Sequence, residues 1–118
     1  MDDVGRVGEK AAVKALKRAG YRIVARNWRS PAGEVDVVAL DGETVALVEV
    51  KATRATAGPS PAQRVDHAKR RRLRGAWRCL AARRGWAGRP HRFDVVAVRF
   101  EDGKPACTIL QGAFTGFG

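Results

Sequence analysis

The sequence predicts one mixed α/β domain with the element order α-β-β-β-α-β-β, and three observations carry that prediction. Apolar residues recur at helical spacing near the N-terminus, two Val-rich runs flank an Asp-Gly pair at 41–42, and Ser-Pro-Ala-Gln at 60–63 opens a second helical stretch. With 118 residues, 45% of them hydrophobic, the chain can close one modest core and has no room for two. The expected domain therefore spans 1–118, with its core over about 5–100 and a C-terminal strand and tail over 105–118.

Residues 4–19 place Ala12, Val13, Leu16 and Ala19 on one helical stripe after acidic Asp2 and Asp3, which suit a helix start; Gly20 marks the stop. Tyr21 to Trp28, rich in β-branched and aromatic residues, reads as the first strand, and Ser30-Pro31-Ala32-Gly33 as a turn. Val35 to Leu40 and Glu43 to Ala52 form a hairpin about Asp41-Gly42, the pair that favours a two-residue turn with positive φ. After a loop over 53–59, Ser60 is an N-cap, Pro61 suits the first helical position and Gln63 completes a capping box. That helix runs to about Arg84, with Gly85 as its stop. A strand over Arg92 to Phe100 and a short last strand near Cys107 to Leu110 follow, and the tail GAFTGFG reads as loosely ordered.

The charge narrows the functional classes. Lys and Arg number 23 against 12 Asp and Glu, a net charge of +11. Phosphate neutralisation with counterion release makes a polyanion the natural partner of such a chain. A GC-rich coding bias explains Arg in preference to Lys but not the excess of positive charge. No apolar run is long enough to span a bilayer and the N-terminus is charged, so the expected location is the cytoplasm, with no membrane partner. Cys79 and Cys107 stand far apart without a CxxC or Cys/His cluster, which excludes a zinc site or disulfide framework and leaves them as core thiols. His67 and His91 belong to no Ser, Cys or paired-His pattern, so no nucleophilic triad is supported. Asp94 reads as a structural carboxylate paired with an arginine such as Arg92.

A turn centred on Asp41-Gly42 sets Leu40 opposite Glu43 and Asp36 opposite Leu47. Asp36, Glu49 and Lys51 then converge on one face, with Asp36 and Glu49 as diagonal neighbours roughly 7–8 Å apart. Two carboxylates at that spacing can close on one cation, and Mg²⁺ commonly shares one or two carboxylates with substrate phosphate. An arbitrary Glu-x-Lys is more often a solvent-facing pair. Here the strand VALVEVKA is apolar on both sides up to the charged residues, as in a strand buried on both faces, and its partner carries its own carboxylate.

Glu9 falls on the apolar stripe of the first helix. It is either a wet first-turn glutamate favoured by the helix dipole or a member of the site. In the second helix Val65, Leu73, Ala76, Trp77 and Leu80 make the buried stripe and Lys69 lies on it, a candidate contact for a scissile phosphate. The other faces carry Arg64, Arg70, Arg71, Arg72, Arg74, Arg78, Arg83 and Arg84 against Asp66 alone. This is the most basic surface of the chain, and its narrow apolar stripe lacks the wide face of a membrane binder. Lys69, Arg70 and Arg72, with Arg26 and Arg29 flanking the same groove, are the candidate nucleic-acid contacts.

In order along the chain, Gly8-Glu9, Arg26-Asn27-Trp28-Arg29, Gly33-Glu34-Val35-Asp36, Val48-Glu49-Val50-Lys51, the basic run from Lys69 to Leu73, and Arg92-Phe93-Asp94-Val95-Val96 form a pattern. It resembles the YraN-type family of small bacterial proteins, within the restriction-endonuclease-like, or PD-(D/E)XK, superfamily. Val35-Asp36 stands where the superfamily name has Pro-Asp. The resemblance implies an αβββαβ core whose mixed central sheet is flanked by two helices. It implies that Asp36 and Glu49 bind Mg²⁺ or Mn²⁺, with the carbonyl of Val50 as a further ligand. It implies too that Lys51 positions the attacking water and stabilises charge at the phosphate. Glu9 resembles the helix carboxylate that Holliday junction resolvases of the superfamily add to the site.

The expected function is metal-dependent endonucleolytic hydrolysis of phosphodiester bonds, in DNA rather than RNA, with branched or structured substrates ahead of a base sequence. A homodimer would be needed to cut both strands of a junction. A non-catalytic nucleic-acid-binding protein of the same fold is the alternative. An interaction protein using the basic helix on an acidic partner is a third class, in which the carboxylates are dispensable.

Overall fold

The computed structural model describes residues 3–54 and 67–114. Helix α1 (Asp3–Arg18) is followed by strands β1 (Arg22–Ser30), β2 (Gly33–Asp41) and β3 (Thr44–Arg54), helix α2 (His67–Arg84), and strands β4 (His91–Glu101) and β5 (Lys104–Phe114). The predicted order of elements stands. Both helices close on a glycine with positive φ, Gly20 at +95° and Gly85 at +68°. In each, the next amide reaches back five residues, Tyr21 N–H to Leu16 C=O at 2.9 Å and Trp86 N–H to Ala81 C=O at 2.8 Å. That bond satisfies a carbonyl left over at the helix end. The capping signature at 60–63, with Arg64, Val65 and Asp66, lies outside the described residues.

The five strands form one sheet in sequence order. β3 and β4 are parallel and the other neighbours antiparallel, because α2 carries the chain across between β3 and β4 while tight turns join the rest. One helix covers each face. Ala12, Val13 and Leu16 of α1 pack with Val37, Ala39, Ala46, Val48, Val96 and Val98. Leu73, Ala76, Trp77 and Leu80 of α2, as expected from the stripe, pack with Val35, Val38, Val45, Leu47, Phe93 and Val95. Double coverage explains the apolar runs on both sides of β3. Among the described residues, no helix is long and apolar enough to cross a membrane. Cys79 and Cys107 are free thiols, half-buried rather than core.

The predicted hairpin register needs a correction. Asp41 pairs with Thr44 and Leu40 with Val45, so the turn residues are Gly42 and Glu43, not Asp41 and Gly42. Asp41 is retained in the ladder, where Arg92 donates to its Oδ2 at 2.9 Å. Gly42, with φ +62°, takes the first central position, the place for glycine in a type II′ turn. The register moves by two residues, so the side chains of Val37 to Asp41 keep their faces, whereas Asp36, beyond the last pair, does not share the face of Glu49 as predicted. The Asp-Gly turn with both residues at positive φ occurs instead at Asp102 (+51°) and Gly103 (+75°), joining β4 to β5. β5 is also longer than expected and takes in Gly112 to Phe114 of the tail.

Candidate active site

Regular pairing of β2 with β3 ends at Val37 opposite Val48. One residue further, the alternation of β2 breaks: Val37 packs in the core under α1, whereas Val35 packs in the core under α2. Opposite this step on β1, between the pairs Arg26–Val37 and Trp28–Val35, lies Asn27 with φ +50°. Asparagine tolerates that conformation better than most residues. Asp36 sits at the break. Its Oδ2 accepts the Val50 N–H at 2.8 Å, so a side chain takes up a β3 amide where the β2 ladder has ended. Asp36 and Glu49 therefore meet through the opening of the hairpin and not through continued pairing.

Glu49, 7% exposed, faces α2. Its Oε1 receives Lys69 of α2 and lies 3.5 Å from Lys51 Nζ. Charge is not balanced at Asp36. Burial first, and the charge of Glu49 second, push its carboxyl up to about 6; the Val50 N–H and Lys69 offset this in part, and Glu9 adds to it. A carboxylate in that state is short of positive charge.

Glu9 approaches from α1. Its Oε1 accepts from Asn27 Nδ2 at 3.0 Å and from Arg26 at 3.4 Å. Gly8 sets the approach: a Cβ there would lie 2.9 Å from the Cβ of Ala52 on β3, closer than side chains tolerate. Glycine thus lets α1 settle against β3 and brings Glu9 over the split strands. Between them opens a cleft of about 500 Å³, lined chiefly by Glu9, Asn27, Glu34, Asp36, Val50 and Lys51. Glu49 lies beside the cleft on the α2 side and does not line it.

The structure thus gathers Asp36, Glu49, Lys51 and Lys69, and sets Glu9 and Val50 in the wall of the same cleft. Arg26 is spent on Glu9, with its side chain 48% exposed. Arg29, 81% exposed, pairs loosely with Glu34 at 3.7 Å. Exposed Arg72 packs its stem against Gly33, so it and Arg29 both lie at the β1–β2 hairpin. Arg70 is half-buried on α2, away from the exposed face assigned to it. Asn27, Glu34 and Gly8 were missed as site-forming residues. All three stand in the family pattern, which is the signal that could have found them; an asparagine amid strand residues is a further one for Asn27.

Asp94 has the structural role expected of it. It is 1% exposed and accepts Arg92 Nε at 2.8 Å, the Tyr21 hydroxyl at 2.9 Å and the Gly112 N–H at 2.9 Å. His91 stacks on Trp77 with centroids 4.2 Å apart, a packing role.

A five-stranded mixed sheet between two helices, with a carboxylate and lysine cleft where β2 and β3 part, defines a small α/β protein with a restriction-endonuclease-like αβββαβ core. Residues 8–98 match the model of the uncharacterised protein family UPF0102, and the chain belongs to that family, the YraN type. It is 44% identical to a UPF0102 protein of Symbiobacterium thermophilum over 112 residues, 94% of this chain and 95% of the relative. A UPF0102 protein of Moorella thermoacetica is 41% identical over 112 residues, 93% of each chain. One from Pseudomonas aeruginosa is 41% identical over 115 residues, 95% of this chain and 92% of the relative.

Proposed function

We propose that the cleft hydrolyses phosphodiester bonds in nucleic acid, DNA in preference to RNA, with the help of Mg²⁺ or Mn²⁺. The observation that carries this reading is Asp36: a half-buried carboxylate beside a second one, its proton affinity raised, at the point where the hairpin opens into a cleft. Perturbed carboxylates in a cleft are a recurrent property of catalytic sites.

The donor set fits the ion. Asp36, Glu49 and Glu9 offer only hard oxygens, the chemistry of Mg²⁺ or Mn²⁺ and not of zinc. Among the described residues, no three His, Cys, Asp or Glu are gathered into a ready cluster. On this reading Asp36 and Glu49 would hold the ion, with Glu9 and the Val50 carbonyl as further donors. When bound, such an ion lowers the pKa of a water and neutralises phosphate charge. Lys51 lines the cleft and keeps its ammonium 3.5 Å from Glu49; on this reading it orients the attacking water and stabilises the negative charge that builds on the phosphate. Lys69 adds a second cation from α2, and Arg72 and Arg29 flank the hairpin where a backbone would pass. A dimer would supply the second cleft that two-strand cutting of branched DNA requires, and the setting for such an activity is the cytoplasm.

The test is cleavage of duplex, single-stranded, flap and junction substrates, in DNA and RNA, with Mg²⁺ or Mn²⁺ titrated. Asp36→Ala and Lys51→Ala should each lower the rate about a hundredfold or more. Variants that cut as fast as the wild type would sink the proposal. One observation favours a non-catalytic binder of the same fold: Lys69 and Lys51 already close on Glu49, so ammonium groups stand where a metal would. Salt-dependent binding with no cleavage of any substrate would select that reading.

A further inference from the structure

Helix α1 divides two grooves. On one flank Glu9 faces the carboxylate cleft; on the other a larger groove, about 570 Å³, runs between α1 and the start of the edge strand β5. Lys10, Lys14 and Arg18 line it from the helix, and Pro105, Ala106 and Cys107 from the strand. The three cations recur every fourth residue, so their Cα atoms rise about 6 Å from one to the next along a single flank. All three are exposed. No ion pair among the described residues engages them, in contrast to Arg26, Arg29 and Arg92, each of which holds a carboxylate. Among the described residues, no acidic residue lines the groove. A row of uncompensated cations in a concavity focuses its field on a linear polyanion.

We propose that this groove is a second phosphate-backbone track, holding part of a nucleic acid that also occupies the cleft on the other side of α1. The inference rests on the reading of the cleft as a nucleic-acid site and adds the path of the substrate: a polymer with two backbone segments, one on each flank of α1, as branched or wrapped DNA provides. A lipid surface fits less well. Val7 is the exposed large hydrophobic residue among the described ones, and a membrane-surface helix needs a broad apolar face to sink into the bilayer.

The test is equilibrium binding of the intact protein to duplex and junction DNA in EDTA, read as the slope of log affinity against log salt. Each phosphate neutralised contributes ~0.9 to that slope. The triple variant Lys10→Gln, Lys14→Gln, Arg18→Gln should lose about 2–3 units of slope and at least tenfold in affinity near physiological salt. A charge-matched control, Arg22→Gln, Lys17→Gln, Arg99→Gln, removes exposed cations outside the groove and should keep its slope within about half a unit. Equal losses in the two variants, or an unchanged slope in the first, would overturn the track. So would phosphatidylserine vesicles that bind the wild type and lose only the first variant. A wild type that binds no nucleic acid refutes the cleft reading and the track together; a bound wild type with an unchanged triple variant refutes the track alone.

Discussion

Glu49 and Asp94 sit one register step apart on adjacent strands, Val48 beside Asp94 and Glu49 beside Val95, yet the two carboxylate sites they belong to are built on opposite principles. Asp94 points into the α1-side core and is saturated. Arg92, the Tyr21 hydroxyl and the Gly112 amide all donate to it, Gln111 donates to the same hydroxyl at 2.8 Å, and Arg92 also reaches Asp41. That network ties Tyr21, just before β1, to β2, β4 and β5, and burying it is tolerable because each polar group finds a partner. Among the described residues, the Asp36–Glu49 site has a deficit of donors. Asp36 receives one backbone N–H and faces a second carboxylate, and two lysines converge on a single oxygen of Glu49. The lesson is that burial alone does not mark a functional carboxylate. The balance of partners is what separates these two sites, because a saturated group has no capacity left for a ligand.

The largest expected effect comes from breaking the saturated site. Asp94→Ala would leave the Tyr21 hydroxyl and the Gly112 amide without their acceptor and Arg92 with Asp41 alone, and would free the β5 end, costing about 2–4 kcal/mol in denaturant unfolding. A loss below about 1 kcal/mol would show that the network is not the structural clamp described.

The opposite sign is expected at the deficient site. Because the folded pKa of Asp36 is raised to about 6, the folded protein binds the proton more tightly than the unfolded chain. The group therefore favours folding below its unfolded pKa, and that contribution is lost as pH rises through the folded value. In metal-free buffer at pH 8, Asp36→Asn should be more stable than the wild type by about 1–2 kcal/mol. Two units correspond to roughly 3 kcal/mol, reduced here because the carboxyl is partly solvated. The gain should fade as pH falls toward 4. Urea midpoints across that range decide it, and a variant destabilised at every pH would remove the contrast.

The smallest effect calibrates both. The Arg29–Glu34 pair is exposed and long at 3.7 Å, so Arg29→Ala should change stability by less than about 0.5 kcal/mol. A larger loss in thermal unfolding would mean that the hairpin beside the cleft is held more firmly than its ion pair suggests.

Much of the fold was legible because local physics fixes it. The stripe Ala12, Val13, Leu16 and the glycines at 20 and 85 specify the helices and their ends, and the Val-rich runs specify strands covered on both faces. The Asp-Gly pair at 41–42 misled because Asp41 has a distant partner. Arg92, 51 residues away, keeps it in the ladder, whereas Asp102-Gly103 forms the turn its chemistry favours. β5 was under-read for a related reason, since the bond from the Gly112 amide to Asp94 extends order into a tail without strand propensity.

The sequence by itself determined the element order, the basic character of the chain, and the faces of β3 and of β2 from Val37 to Asp41, since a register error of two residues preserves the alternation. Tertiary structure alone decided how Asp36, Glu49 and Lys51 come together. The break in alternation at Asp36, the positive φ of Asn27, the seating of Gly8 on Ala52 that carries Glu9 over the cleft, and the closure of Lys69 on Glu49 are all contacts between residues far apart in sequence. Period and propensity describe a residue's neighbours along its own element. They carry no information about which other element will supply or withhold its partner.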